Sequence, residues 1–197
     1  GDTVVIFKAG DIIPQVQTVL KELRPAGAEP IDYPAELARQ YPELEFVRTE
    51  GEAVYRVKGL SGPLILKRSL AHFASKGALD IDTLGEKNVE ALVEAKLVND
   101  LADIYRLTKD DLLRLERFAE ISAQKLIDAI AAKKQPALER FLFGLGIRHV
   151  GTQTAIDLTN HFESIEKLLV ATIDELREVD GVGEIVAESI VAWFAGW

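Results

Sequence analysis

The chain has 197 residues, 48% hydrophobic and 28% charged, enough for one or two globular domains with a substantial core. It contains no cysteine, which excludes disulfides, thiolate metal sites and cysteine nucleophiles, and no apolar run reaches the roughly 18 residues of a membrane span. The net charge of −9 excludes a generally basic nucleic-acid-binding surface, so any such contact has to be local and made largely by backbone.

The opening "GDTVVIFKAGD" has neither the basic nor the apolar region of a signal peptide. With no methionine anywhere, the chain reads as a piece excised from a longer protein, with Gly1 a cloning remnant. Over residues 1–24 the pattern predicts a β-strand at "TVVIFKAG", a turn, and a mixed run "IIPQVQTVLKEL". Residues 25–66 hold five of the seven prolines. Within them "EFVRTEGEAVYRVKGLSGP" predicts two short strands joined at Glu50-Gly51. From about residue 67 onward apolar residues recur at spacings of three and four, which predicts helix throughout. There "TKDDLLRLE" (108–116) predicts a helix start with a solvated acidic face. The fold class is therefore mainly α, preceded by a small β-containing segment.

The helical region repeats itself. Four stretches align: "DTLGEKNVEALV" (82–93), "ERFAEISAQKLI" (116–127), "RHVGTQTAIDLT" (148–159) and "DGVGEIVAESIV" (180–191). Each has an apolar residue (Leu84, Phe118, Val150, Val182), then a small one (Gly85, Ala119, Gly151, Gly183), then an amphipathic helix. The small residues are 34, 32 and 32 positions apart, and Val89, Ala123, Ala155 and Ala187 recur four residues further on, where a small side chain lets two helices approach closely.

This is the helix–hairpin–helix pattern, here an array of four. The hairpin glycine is expected to supply backbone freedom at φ > 0. The helix behind it offers unpaired N–H donors and the positive end of its dipole, a seat for a phosphate. Such a contact ignores base identity. The candidate DNA-binding residues are Gly85, Lys87, Arg117, Arg148, His149, Gly151, Thr152, Thr154, Gly181 and Gly183. Glu86, Glu120 and Glu184 stand in the first turn of the other three repeats, where they oppose a phosphate, so the third repeat is the cleanest candidate.

The segments "KAGDIIPQV", "EGEAVYRV", "KRSLAHFASKGALDIDTLGEKNVEALVEAKLV" and "FLFGLGIRHVGTQTA" closely resemble the C-terminal half of bacterial NAD-dependent DNA ligases. The resemblance implies that residues 1–24 are the tail of an OB-fold, 25–66 a zinc-finger region and 67–197 the helix–hairpin–helix DNA-binding domain, with a BRCT domain to follow. It implies a parent enzyme in the bacterial cytoplasm that uses NAD and Mg²⁺ to seal nicked duplex DNA, sequence-independently, in replication and repair. This piece would grip the duplex beside upstream adenylation and OB domains of the same chain. The Lys-x-Asp-Gly motif of adenylate transfer does not occur here, so no catalytic residue is assigned, no cofactor is expected on this piece, and it should be inactive alone. The family's four zinc-binding cysteines are also missing: Tyr33, Glu36, Val57 and Gly62 stand at their positions. Apolar packing among Tyr33, Leu37, Tyr41, Leu44 and Phe46 is expected to hold that segment instead.

Other chemistry is thin. Asp80 and Asp82 are a weak metal pair, and Asp82 is expected to cap a helix near Thr83. His72 and His161 are expected in surface or packing roles, and Trp193 and Trp197 to pack a final helix. Lys8 stands where the family's OB tail approaches DNA. Two other readings stay open at this point, a hairpin module of a repair nuclease or junction-binding protein, and a helical domain for protein interaction, which the charge favours.

The missing cysteines give the first prediction. Elemental analysis should find well under one zinc per chain, and a chelator should leave the melting temperature unchanged; stoichiometric zinc would overturn the reading of residues 25–66.

Overall fold

Each of the four apolar–small pairs of the repeat sits between two helices, and that arrangement organises most of the chain. The computed structural model describes residues 1–10, 13–48, 51, 53–58 and 62–196. The chain divides by its contacts into two compact units, Gly1–Gly59 and Leu60–Trp197.

In the first unit, β1 (Val4–Ala9) pairs antiparallel with β2 (Ile13–Val19), Val4 facing Val19 and Lys8 facing Pro14, with an irregularity between Val5 and Ile6. The mixed run of the sequence is thus largely a strand, and its Pro14 is tolerated because a two-stranded sheet consists of edges. Val4, Ile6, Phe7, Ile13, Val16 and Val19 are all exposed on this hairpin. Arg24 closes its base with a two-pronged pair to Asp2, at 2.6 and 2.7 Å.

Helix α1 (Tyr33–Gln40) starts at Asp32, whose carboxylate accepts the Ala35 N–H at 3.0 Å. The two short strands β3 (Phe46–Val47) and β4 (Arg56–Val57) pair with Phe46 opposite Val57. They are shorter than the sequence pattern, and the Glu50 of the expected junction lies outside the described residues. Of the residues expected to pack this segment, Leu44 is buried and Leu37 and Phe46 are half-buried, while Tyr33 and Tyr41 are exposed, Tyr41 at 6.1 Å from Phe46 and Tyr33 at 5.6 Å from Tyr55.

In the second unit the helices are α2 (Pro63–Ala74), α3 (Glu86–Glu94), α4 (Lys109–Leu113), α5 (Glu120–Ala131), α6 (Leu138–Gly144), α7 (Thr152–Phe162), α8 (Ile165–Leu169), α9 (Ile173–Arg177) and α10 (Glu184–Ala195). A 3-10 turn over Ala102–Arg106 precedes α4. Helix α2 begins four residues before the pattern turns helical, because Pro63 at its first position has φ preset and Gly62, at φ 109°, makes the turn into it. Four pairs pack as hairpins: α2 with α3, α4 with α5, α6 with α7, and α9 with α10. The apex residues Leu84, Phe118, Val150 and Val182 are buried, and so are Val89, Ala123, Ala155 and Ala187 one turn into the second helix. They belong to one continuous core that also takes in Leu70, Phe73, Leu126, Leu142, Leu158 and Ile190.

The α2–α6 contact joins the first two hairpins to the last two. Arg140 reaches back to donate to the carbonyls of Ala78 (2.7 Å) and Lys76 (2.6 Å). His72 has its expected packing role: Nε2 lies 2.8 Å from the Phe143 carbonyl and the ring packs edge-on to Phe143. His161 packs on Phe162 and Trp193 on the core, while Trp197 lies outside the described residues. Among the described residues no helix is long and apolar enough to cross a membrane.

Gly144 makes that junction possible. A Cβ there would stand 3.1 Å from Leu79 Cδ1, 3.2 Å from Phe73 Cδ2 and 3.3 Å from Ala78 Cβ, all in the buried core. Gly144→Ala should therefore destabilise by about 1–3 kcal/mol, read as a lower urea midpoint at unchanged slope. An unchanged midpoint would show that the junction is looser than this packing implies.

Candidate nucleic-acid interface

The hairpin turns are built differently from the sequence expectation. Gly85, Gly151 and Gly183 have φ of −80°, −86° and −84° with extended ψ, a conformation open to any residue. The left-handed residue lies two positions earlier, at Thr83 (φ 65°), His149 (φ 68°) and Gly181 (φ 76°). The second hairpin has Arg117 there and no positive φ. The glycine placed for backbone freedom is thus Gly181, while Gly85, Gly151 and Gly183 are the N-caps of α3, α7 and α10. A Cβ added to any of these three would meet nothing within 4 Å. Neither strain nor packing within the chain demands glycine at these positions.

The helix starts at the glycine turns contrast with those that a side chain closes. Helices α4, α8 and α9, away from the hairpin turns, are capped by side chains: Thr108 accepts the Asp111 N–H, Ser164 the Lys167 N–H and Thr172 the Glu175 N–H. In α4 and α9 the carboxylate reciprocates to the cap residue, and those bonds hold the Asp111 and Glu175 carboxyls below the ordinary carboxylate range. Helices α3, α7 and α10 begin at glycine with no side-chain cap. An uncapped helix start leaves several N–H groups without an intrahelical partner, positive in field and open to an anion. In α7 the first turn is also free of acids, with Thr152 exposed and Thr154 half-buried.

Comparison with known proteins bears on this geometry directly. Residues 76–132, holding the first two hairpin turns, match the family model of the SAM-like helix-hairpin-helix tandem, and residues 140–196, holding the last two turns, match that of the helix-hairpin-helix motif. Over 195 residues, 99% of this chain, the sequence is 48% identical to a DNA ligase of Anoxybacillus flavithermus and 46% identical to one of a Synechococcus species. Nearly the whole chain thus corresponds to a segment of DNA ligases. It spans 29% and 28% of the length of these relatives.

The remaining candidates take defined places. Lys87 is exposed in the first turn of α3. Arg117 Nε donates to Asn88 Oδ1 at 3.2 Å, and Asn88 Nδ2 donates to the Thr83 carbonyl at 2.7 Å, so the first two hairpins are tied at their turns. The Arg148 carbonyl accepts the Ser189 hydroxyl of α10 at 2.8 Å, tying the third hairpin to the fourth. His149 is exposed beside Gly151. Asn88 and Ser189 escaped the sequence reading, although Asn88, Ser122 and Thr154 share the third helical position, a signal the alignment of repeats already carried. Glu86 and Glu184 stand exposed in their first turns, and Glu120 is ion-paired with Lys109.

Asp82 does not cap a helix. Its carboxylate accepts the next N–H, that of Thr83, at 2.9 Å, because the extended residue preceding α3 is Gly85, three positions later. Asp80 lies 3.7 Å from Lys133, and among the described residues no group of three or more His, Asp or Glu could hold a metal ion. At the positions that the resemblance assigns to zinc ligands, Tyr33 packs on Tyr55, Glu36 pairs with Arg39 and Gln40, Val57 lies in β4 and Gly62 precedes α2. A valine side chain and a glycine offer no metal donor, so this set does not fit zinc. Lys8 lies on β1 opposite Pro14, exposed.

The two kinds of turn glycine should separate on mutation. Gly181→Ala should cost about 1 kcal/mol or more from the left-handed backbone. Gly151→Ala and Gly183→Ala should stay within about 0.5 kcal/mol, a weaker cap being offset by a less flexible unfolded chain. Equal losses at all three sites, measured by urea unfolding, would contradict the backbone conformations described.

Proposed function

We propose that this segment is the non-catalytic DNA-binding portion of an NAD-dependent DNA ligase, gripping the duplex backbone on either side of a nick during replication and repair. The observation that carries the reading is the set of bare helix starts at Gly85, Gly151 and Gly183, where glycine serves neither the backbone nor the packing of the chain itself. In this reading a phosphate oxygen accepts from the first amides of α7 and, more weakly, of α3 and α10, where an acid shares the first turn. Lys87 and Arg148 lie near those amides in the sequence and add charge, and His149 stands exposed beside them. Thr152 and Thr154 offer hydroxyls, and Arg117 holds the first two turns in register through Asn88. Gly181 shapes the fourth turn. NAD and Mg²⁺ serve the adenylation chemistry of the parent, whose Lys-x-Asp-Gly motif this chain does not carry. Upstream adenylation and OB domains of the parent complete the clamp around the nick, in the bacterial cytoplasm. Residues 1–24 are the tail of that OB-fold and residues 25–66 a finger-like segment that packs without metal.

The charge distribution supports a mode made by backbone. Residues 136–197 carry 4 basic and 10 acidic side chains, so few lysine or arginine contacts to phosphate are on offer there. Binding should be independent of sequence, with log affinity falling against log salt at a slope on the order of −2 to −4, as for two to four neutralised phosphates. Gly151→Asp should lower affinity for nicked duplex by about tenfold or more relative to Gly151→Ala, at similar melting temperatures, with a smaller contrast at Gly183, where Glu184 already opposes the anion. Equal losses in the aspartate and alanine variants, or a marked preference for one base sequence, would overturn the proposal.

A further inference from the structure

The two tandems share a division that the phosphate-binding reading does not use. In hairpins one and three the second residue of the uncapped helix is polar, Lys87 or Gln153; in hairpins two and four it is isoleucine, Ile121 or Ile185. Both isoleucines lie in the open, Ile121 at 74% and Ile185 at 68% exposure. Neither belongs to the core or packs against it, since the buried faces of α5 and α10 are formed by Ala123, Leu126 and Ile130 and by Ala187 and Ile190. Helix propensity does not favour them, because a branched Cβ restricts χ1 against the preceding turn. A single exposed isoleucine needs no explanation. Two at one register of the repeat, one in each tandem and each in the first turn behind a hairpin apex, do.

We propose that Ile121 and Ile185 are DNA-contacting side chains that rest on deoxyribose rings of the duplex. The inference depends on the DNA-binding reading above. A helical side chain leans toward the N-terminus of its helix, so these methyl groups lie over the hairpin turn. A nucleic-acid backbone that passes this turn offers two kinds of surface, charged phosphate and the apolar C–H face of the sugar between phosphates. Hairpins two and four are poorer phosphate seats than hairpin three: Glu120 and Glu184 occupy their first helical position, as Glu86 does in hairpin one, but there Lys87 follows and adds a positive charge that the isoleucines do not. Isoleucine at the next position suits the sugar. Each tandem then holds the strand with one polar and one apolar hairpin, and the apolar contact, like the amide contact, is blind to base sequence.

The test measures affinity of the 197-residue chain for nicked duplex across a salt series, with melting temperature recorded for each variant. Ile121→Ala and Ile185→Ala should each weaken binding about 3- to 10-fold, as expected for half-covering an isoleucine side chain. The slope of log affinity against log salt should not change, because no counterion is released. Melting temperatures should match the parent, and Ile121→Lys should steepen the slope by about one. Unchanged affinity in the double alanine variant, with the parent binding normally, would overturn this proposal and leave the phosphate reading standing. A loss of affinity that follows a fall in melting temperature would overturn it too, by giving the isoleucines a structural role. Absence of binding by the parent chain at every salt concentration would remove both readings.

Discussion

Close approach of two helices behind each hairpin is the constraint from which the rest follows. Ala123, Ala155 and Ala187 have no exposed surface, and Val89 takes the same place in the first hairpin. A larger side chain there would push the second helix away from the first and swing its N-terminus off the apex. The buried Leu84, Phe118, Val150 and Val182 fix that apex from below. With both positions packed, the first turn of the second helix is left as the outermost point of each hairpin. The junction of the two tandems uses the same device once more, with Gly144 admitting Phe73, Ala78 and Leu79 to the backbone of α6.

Charge is then distributed around bare backbone rather than concentrated on it. The carboxylates of Asp111 and Glu175 are spent inside the first turns of α4 and α9, where they accept backbone N–H groups and close those helices locally. Others are paired across elements, as Lys67 is with Glu90 and Glu94 between α2 and α3. A chain with a net charge of −9 thereby keeps the helix starts at three of its hairpin turns with no side-chain cap. Electrostatic attraction to a polyanion, in such a chain, has to come from oriented peptide dipoles more than from formal charge.

The sequence made the array legible because its signal is redundant. The apolar–small pair recurs four times, with an alanine behind it in three repeats and Val89 in the other, and each recurrence tests the others. The helix start at "TKDDLLRLE" was legible too, and the structure adds that Thr108 and Asp111 cap it reciprocally. What escaped was the backbone detail. Glycine at 85, 151 and 183 suggested positive φ because that is glycine's usual privilege, whereas the turns place the left-handed residue two positions earlier and accept threonine or histidine there. The second strand of the first hairpin was obscured by Pro14 and by side chains whose alternation a two-stranded sheet does little to enforce. Contacts between hairpins, such as Arg117 with Asn88, join residues 29 positions apart and leave no local periodicity to read.

The uncapped glycines have a consequence for how this domain responds to selection for heat resistance. Serine or aspartate at positions 85, 151 and 183 would give each helix the cap it lacks, a gain over glycine of about a few tenths of a kcal/mol per site, to which a less flexible unfolded chain adds about 0.4–1 kcal/mol. Three such changes are within easy mutational reach, would meet no neighbouring atom, and would make the free domain harder to melt. They would also fill, with the domain's own oxygen atoms, the amides left open to another molecule. A lineage adapting to high temperature therefore meets a conflict at three specific codons between the stability of the isolated domain and its grip. Retention of glycine there in a heat-stable relative would mark the cost at which that grip is maintained.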